Sequence, residues 1–317
     1  MSDWKPLSIE NIRSYSIKDR PSKVMYEDFG TPWKPGGAMG SWFNALPRIL
    51  AGSDFRAVVD RLVQAAQNKK MILLAMGAHP IKVGLSPHIM DLMERGIVRG
   101  VAMNGACIIH DAEVAMVGHT SEDVAARLGE GQFGMADEPA RLVNEAIRDG
   151  ARSDMGLGEA VGVRLSRERL PHRELSLLAK AHDLGVPVTV HVAIGTDTIH
   201  FHPSADGASL GKTSHRDFRL FASLVSKLEG GVFINLGSAV ILPEVFLKAL
   251  TLVRNLGHEV KQFTTLNMDF IRHYRPMTNV VSRPTLEGGQ GYSLVGHHEI
   301  MFPLLAAAVI ERLEGHW

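Results

Sequence analysis

The side chains able to do chemistry gather in four short loops. Gly77-Ala-His79-Pro-Ile-Lys82-Val-Gly84 sets an imidazole and an amine between glycines, and Asn104-Gly105 with His110-Asp111 supplies an amide, an imidazole and an acid. Gly195-Thr-Asp197-Thr-Ile-His200-Phe-His202 adds a carboxylate and two imidazoles, and Gly237-Ser238 offers bare backbone and a hydroxyl. Backbone N–H groups at a helix start can hold a phosphate. The four loops together therefore suit a dinucleotide spread across the edge of a sheet, although none is the G-x-G-x-x-G fingerprint.

Each group has a plainer reading beside the chemical one. His110-Asp111 is either an oriented base or a helix-start cap, and Asn104 either bonds a ribose or amide or completes a turn. His191, His200 and His202, beside Asp197, form the densest imidazole group. On a strand His200 and His202 share one face, so with His191 they either ligate a transition metal or line a pocket. Of His297-His298-Glu299, one histidine faces the pocket and the other packs or caps the last helix. His110, His297 and Asp197 are the acid–base candidates. Arg272, Arg275 and Arg283 can clamp a carboxylate or phosphate or form ordinary surface salt bridges. Lys82 and Lys212 read as solvated charges, and Cys107, within Ala-Cys-Ile-Ile, as a buried structural thiol.

The elements that must position these loops alternate. Apolar runs over residues 71–76, 98–103, 186–192, 231–236 and 260–266 are expected strands. Helical periods are expected over 54–68, 86–95, 137–149 (ended by Gly150), 172–184, 215–228, 243–255 and 299–313. The glycine-rich run 155–162 reads as a close-packed turn, and 267–291 as irregular. This alternation predicts an α/β fold, a Rossmann-like parallel sheet with helices on both faces. In such sheets ligands bind beyond the carboxyl ends of the strands, where the four loops lie. Residues 1–53, rich in proline and aromatics, read as an N-terminal arm packing on the core or on a neighbouring subunit, and 54–317 as one α/β domain.

Composition narrows the partners. Lys plus Arg equals Asp plus Glu at 34 each, with no basic run, which argues against nucleic acid. No apolar stretch reaches the length of a membrane span. The start lacks the pattern of a signal peptide, and the single cysteine fits a reducing compartment. A cytoplasmic location and a small-molecule substrate are therefore expected.

The order of motifs resembles the deoxyhypusine synthase family from about Tyr15 to the C-terminus. The resemblance rests on Gly84 with its following helix, Asn104-Gly105…His110-Asp111, Asp197-Thr-Ile-His-Phe-His202, Ile234-Asn-Leu-Gly-Ser238 and Met301-Phe-Pro-Leu-Leu305. It implies NAD across the strand ends and a homotetramer with sites at subunit interfaces. Cofactor contacts would fall near His79, Asn104, Gly105, His110, Asp111, Asp197, Gly237, Ser238 and His297. The family oxidises spermidine with NAD and captures an aminobutyl group on the lysine of an "SWGK" segment. Here the corresponding run is Ser282-Arg283-Pro284-Thr285, and arginines stand where a cationic polyamine would be held. Thr285 cannot form an imine, so the resemblance implies an NAD-dependent transferase or oxidoreductase acting on another small amine or amino-acid-like metabolite. A non-catalytic nucleotide-binding or regulatory relative, and a metal-dependent hydrolase or lyase built on His191, His200 and His202, are the alternatives.

Overall fold

Short, largely apolar runs become strands buried on both faces, which only a sheet covered on both sides accommodates. The computed structural model describes residues 4–315; the outer ends of the two expected segments, residues 1–3 and 316–317, lie outside the described residues. The first half contains α1 (Met39–Ala45), α2 (Ala51–Gln67), β1 (Ile72–Met76), α3 (His79–Lys82), α4 (Ser86–Glu94), β2 (Gly100–Asn104), α5 (Gly105–Val117), α6 (Val124–Leu128) and α7 (Asp137–Arg152). There follow α8 (Leu157–Arg167), α9 (Leu177–Leu184), β3 (Val188–His191), α10 (Gly207–Val225), β4 (Val232–Leu236) and α11 (Ile241–Asn255). The chain then forms β5 (Thr264–Asp269), the short α12 (Tyr274–Pro276), β6 (Gln290–Val295) and α13 (His298–Leu313).

All six strands are parallel, in the order β3-β2-β1-β4-β5-β6. This is the doubly wound, Rossmann-like order, in which the chain works outward from the centre first one way and then the other. The period of two along β1 sends Ile72, Leu74 and Met76 into one core and Leu73 and Ala75 into the other. The first core receives α2, α4, α5, α7, α8, α9 and α13. The second receives α10 and α11, where Phe233 stacks on Phe246 with centroids 3.7 Å apart.

Three expectations change. Gly150 does not end α7; it is buried inside the helix, and a Cβ there would come within 2.5 Å of the Ala160 Cβ, so it marks a close crossing with α8. The run 155–162 is close-packed as expected but mostly helical: Gly158 lies in the first turn of α8, where a side chain would strike the Val188 carbonyl. Residues 267–291 are not irregular throughout. They hold the end of β5, a π-helical turn (Met277–Ser282) and the start of β6. β6 escaped notice because it is an edge strand, half-exposed along most of its length, and so shows no apolar run.

At the opposite edge, a buried carboxylate joins three elements. Asp217 Oδ2 of α10 accepts from Val190 N of β3 (2.7 Å) and Gly158 N of α8 (2.8 Å), satisfying an edge-strand amide and a helix-start amide together. Burial pushes its carboxyl up to about 7, against the pull of those two N–H groups. The unfolded value is about 3.9, so the native state holds the proton more tightly. Its stabilising contribution is complete below about pH 4 and is lost as pH rises through about 7. Asp217→Asn keeps an oxygen for both amides and should flatten that limb of the Tm profile. Thermal scans from pH 4 to 8 check this, and an unaltered slope in the variant would contradict it.

Candidate functional site

β1 and β4 lie side by side at the centre of the sheet, yet their following segments lead to opposite halves, so their carboxyl ends are the switch point where sheets of this topology form a ligand crevice. Both strands run out onto glycine. Gly77 N–H donates to the Leu236 carbonyl (3.2 Å) and Gly237 N–H to the Met268 carbonyl (2.9 Å), extending the ladder past the strands. A Cβ on Gly77 would stand 2.8 Å from the Gly237 carbonyl oxygen. Gly237 has φ +68°, and a Cβ there would meet Cε1 of His298 at 2.5 Å. Below the turn, Asn235 Nδ2 donates to the Ser238 carbonyl (2.9 Å) and to Asn267 Oδ1 (2.8 Å), and Ser238 Oγ accepts from Leu242 N of α11 (3.2 Å).

An imidazole-rich wall closes one side. His298, 1% exposed, opens α13 with Nε2 3.3 Å from the Met268 carbonyl and 3.8 Å from Asp269 Oδ1. His79 from α3 meets it edge to face at 5.3 Å. Phe270 lies 6.1 Å from both His79 and His298, and the exposed His297 ring lies parallel to it at 6.3 Å. His273 approaches Asp269 Oδ2 at 3.9 Å. Of the two adjacent histidines, His298 is thus the inward one, while His297 caps the helix with its side chain 70% exposed.

A cavity of about 190 Å³ lies by the ends of β2 and β3, lined by Lys82, His110, Glu113, Glu122 and Asp197 among others. Glu113, Thr120 and His110 form a chain: the Thr120 hydroxyl donates to Glu113 and accepts from His110 Nδ1 (2.6 Å), leaving Nε2 as the ring's acceptor. Burial works to raise Glu113, but the bonds from His110 and Thr120 hold its carboxyl below the usual range. Asp197 moves the other way, raised by burial against the nearby His200 and His110 charges. Its carboxylate packs on Gly105 at the start of α5, where any side chain would collide with it. Asp197 Oδ2 and His200 Nε2, 3.8 Å apart, have no hydrogen-bond partner among the described residues. Asn104 caps α5 through Cys107 N (3.3 Å).

Other expected residues are used elsewhere. Asp111 is fully buried and caps α9, accepting from Leu177 N (2.7 Å), Leu178 N (3.1 Å) and the Ser176 hydroxyl (2.6 Å), so its oxygens are taken up within the fold. His200 and His202 lie on a 3-10 turn and the loop after it rather than on a strand. The three histidines of the alternative metal reading have separate partners: His191 Thr189, His202 Asp137 and Ser204, and His200 the Gly195 and Asp197 amides. Burial drops His191 to about 3. Among the described residues no group of three or more His, Cys, Asp or Glu is arranged to hold a metal. Arg275 pairs with Glu244 (3.3 Å), Arg283 donates to Asn279 (3.0 Å), and Arg272 is exposed. Cys107 is buried as expected. No helix of the described residues is long and apolar enough to cross a membrane.

Sequence reasoning passed over Asp269, Phe270, His273 and the inward placement of His298. The helical period held the signal for the last: His298, Phe302, Leu305, Ala306 and Val309 recur on one buried face of α13.

No protein-family model matches the chain, and no curated protein matches it. Solved structures do. The apo structure of ArgZ, an arginine dihydrolase from the ornithine–ammonia cycle in cyanobacteria, superposes with a TM-score of 0.50 at 15% identity, over 83% of this chain and 32% of that one. The ternary complex of AgrE with ornithine and NAD+ gives 0.52 at 13% identity, over 82% and 33%. A "putative deoxyhypusine synthase" from Entamoeba histolytica gives 0.49 at 13% identity, over 88% and 95%. The chain thus spans about a third of the length of ArgZ and AgrE, and with them it shares a fold.

Because Asp111 caps a helix, removing it leaves buried amides without an acceptor. Asp111→Ala should cost about 3 kcal/mol, roughly 4–5 °C in Tm for a chain of this size, with ligand affinity of the folded protein unchanged. Calorimetric scans alongside ligand titrations check this, and an affinity loss at unchanged Tm would return Asp111 to the binding site.

Proposed function

We propose that this chain is an NAD-dependent enzyme of hydride chemistry on a small amine or amino-acid-like metabolite, and that it does not form deoxyhypusine. The observation that carries the reading is the crevice between β1 and β4, floored by Gly77 and Gly237 at the point where strand order reverses. A dinucleotide needs a helix start close to the strand ends, and the turn from Gly237 through Ser238 leads into α11. Gly77, His79, Gly237 and Ser238 would hold one part of it, and Asn104 and Gly105 another. Bound there, NAD supplies the hydride acceptor. AgrE, which shares the fold, was solved with ornithine and NAD+, and that pairing supports the substrate class.

The chain's own residues do the rest. His110, its Nδ1 engaged by Thr120 and Glu113, presents Nε2 as the base that takes the substrate's proton. Asp197, with an unpartnered buried oxygen, receives an N–H of the substrate's ammonium group. Of the three arginines, the exposed Arg272 would meet an anionic group approaching from solvent, since Arg275 and Arg283 already bond Glu244 and Asn279. The Thr285 hydroxyl donates to the Val281 (2.7 Å) and Ser282 (3.0 Å) carbonyls, so no nucleophile is offered where the resembled family carries its lysine.

Calorimetry with NAD and NADP, followed by NADH formation over a panel of amines and amino acids, tests the reading. Micromolar NAD binding with turnover is expected, and His110→Gln should lower kcat by about 10²–10³-fold while leaving NAD affinity intact. Absence of heat with NAD would overturn it. Binding without turnover on any substrate would favour a nucleotide-binding regulatory protein.

We further infer a homo-oligomer in which the arm before α1 lies on a second copy. Trp4 and Leu7 are 90% and 92% exposed, and Ile9, Ile12, Tyr15, Ile17, Met25, Tyr26 and Phe29 are exposed with them. That is more apolar surface than a monomer leaves in water. Light scattering of the full chain should give a closed oligomer, with Leu7→Ser/Ile9→Ser/Ile12→Ser shifting it toward monomer. A monomeric wild-type chain at micromolar concentration would refute this.

A further inference from the structure

His298 is the most deeply buried titratable group on the crevice wall, and its two nitrogens are not equivalent. A peptide carbonyl only accepts, so the 3.3 Å approach of Nε2 to the Met268 oxygen places the ring proton on Nε2. Asp269 Oδ1, 3.8 Å away and anchored by Phe270 N–H at 2.8 Å, favours the same tautomer. Nδ1 is left as a lone-pair acceptor. It is buried and has no hydrogen-bond partner among the described residues. Such an acceptor is costly to leave unmet, and native folds meet it with protein, water or ligand.

What surrounds the ring points to a ligand. Gly237, the first residue past β4, has room for no side chain because the His298 ring occupies that place. The same wall carries His79 and Phe270, whose flat faces complete an aromatic corner over the strand ends. We propose that His298 Nδ1 is a recognition acceptor: it receives a hydrogen bond from a neutral hydroxyl or amide N–H of the molecule lying in the β1–β4 crevice. This deepens the NAD reading and rests on it, since ribose hydroxyls and the carboxamide of NAD are donors of that class. It also selects against a ligand group that only accepts, such as a carboxylate, which would face the lone pair directly.

The groups acting on the ring are Asp269 from β5, His79 from α3 and Glu299 from its own helix. Burial lowers the His298 pKa below its ordinary value, with His79 acting the same way and Asp269 and Glu299 opposing. The acceptor is therefore present at neutral pH, and protonation at lower pH turns it into a donor.

Nitrogen-15 NMR of the full chain tests the proposal without turnover. The free protein should show the Nε2–H tautomer at pH 7, and NAD should shift the His298 Nδ1 resonance in the direction of an accepted hydrogen bond. His298→Phe should weaken NAD binding tenfold or more, whereas His298→Gln, which keeps an acceptor, should retain most of it; thermal scans confirm that both variants fold. Wild-type affinity should fall on acidification past the ordinary histidine range, and that of His298→Gln should not. NAD binding with an unmoved Nδ1 resonance and an unaffected Phe variant would overturn this inference alone. A charged ring at pH 7 would overturn it before any ligand is added, and no NAD binding would overturn it together with the reading it rests on.

Discussion

The pairing of β1 with β4 is the constraint on which the rest depends. The two strands come from distant parts of the chain and run in register from Ile72 beside Val232 to Met76 beside Leu236. Both are buried on each face, so neither can find water for its amides, and each unpaired group would cost about 1–3 kcal/mol. Once these central strands pair, β2 and β3 can add only on one side and β5 and β6 only on the other. That division separates the segments leaving Met76 and Leu236, and the gap between them is the crevice.

Where the sheet and helices end, buried carboxylates take over from backbone ladders. Asp111 gives both oxygens to the start of α9. Asp217 gives one oxygen to two amides, while its Oδ1 has no partner among the described residues, an arrangement that suits a carboxyl holding its proton near neutrality. The same chemistry explains why acids near a cleft cannot be sorted by type alone. In sequence Asp111 follows a histidine and Asp197 stands between two threonines, each in a stretch that reads as a polar loop. Only their partners show that one supports a helix and the other keeps an oxygen unmet beside a cavity.

The sheet was legible where physics leaves a mark in one dimension. Residues 72–76 are apolar throughout and 232–236 are apolar but for Asn235, because both faces are buried, and the acids at Asp137 and Glu138 mark a helix start. β6 left no mark, since an edge strand half in water needs no apolar run, and Gly150 misled because a glycine at a helix crossing resembles one at a helix end. The loops of the candidate site were visible by residue type, but not which partner each would meet. His297 and His298 are chemically identical in sequence. Their difference lies in helix phase, which puts only the second on the face shared with Phe302 and Leu305. His200 and His202 would share a face only on a strand, and the turn at Thr198–His200 removes that condition.

The carboxyl edge is consistent in one further respect. At both of its polar clusters the fold fixes an imidazole by one nitrogen and leaves the other as an acceptor: His298 through the Met268 carbonyl, and His110 through Thr120 and Glu113. Asp197 Oδ2 adds a third acceptor without a partner among the described residues. Among hydrogen-bond donors there, Arg275 is paired with Glu244, while His200, whose Nδ1 accepts from the Gly195 and Asp197 amides, keeps an Nε2–H without a partner among the described residues. These three unmet acceptors match molecules that bring N–H and O–H groups, such as amines, amides and polyols. A reaction on this edge would then pass between two bound molecules rather than through the chain, with the protein supplying position, tautomer and a place for the proton to go.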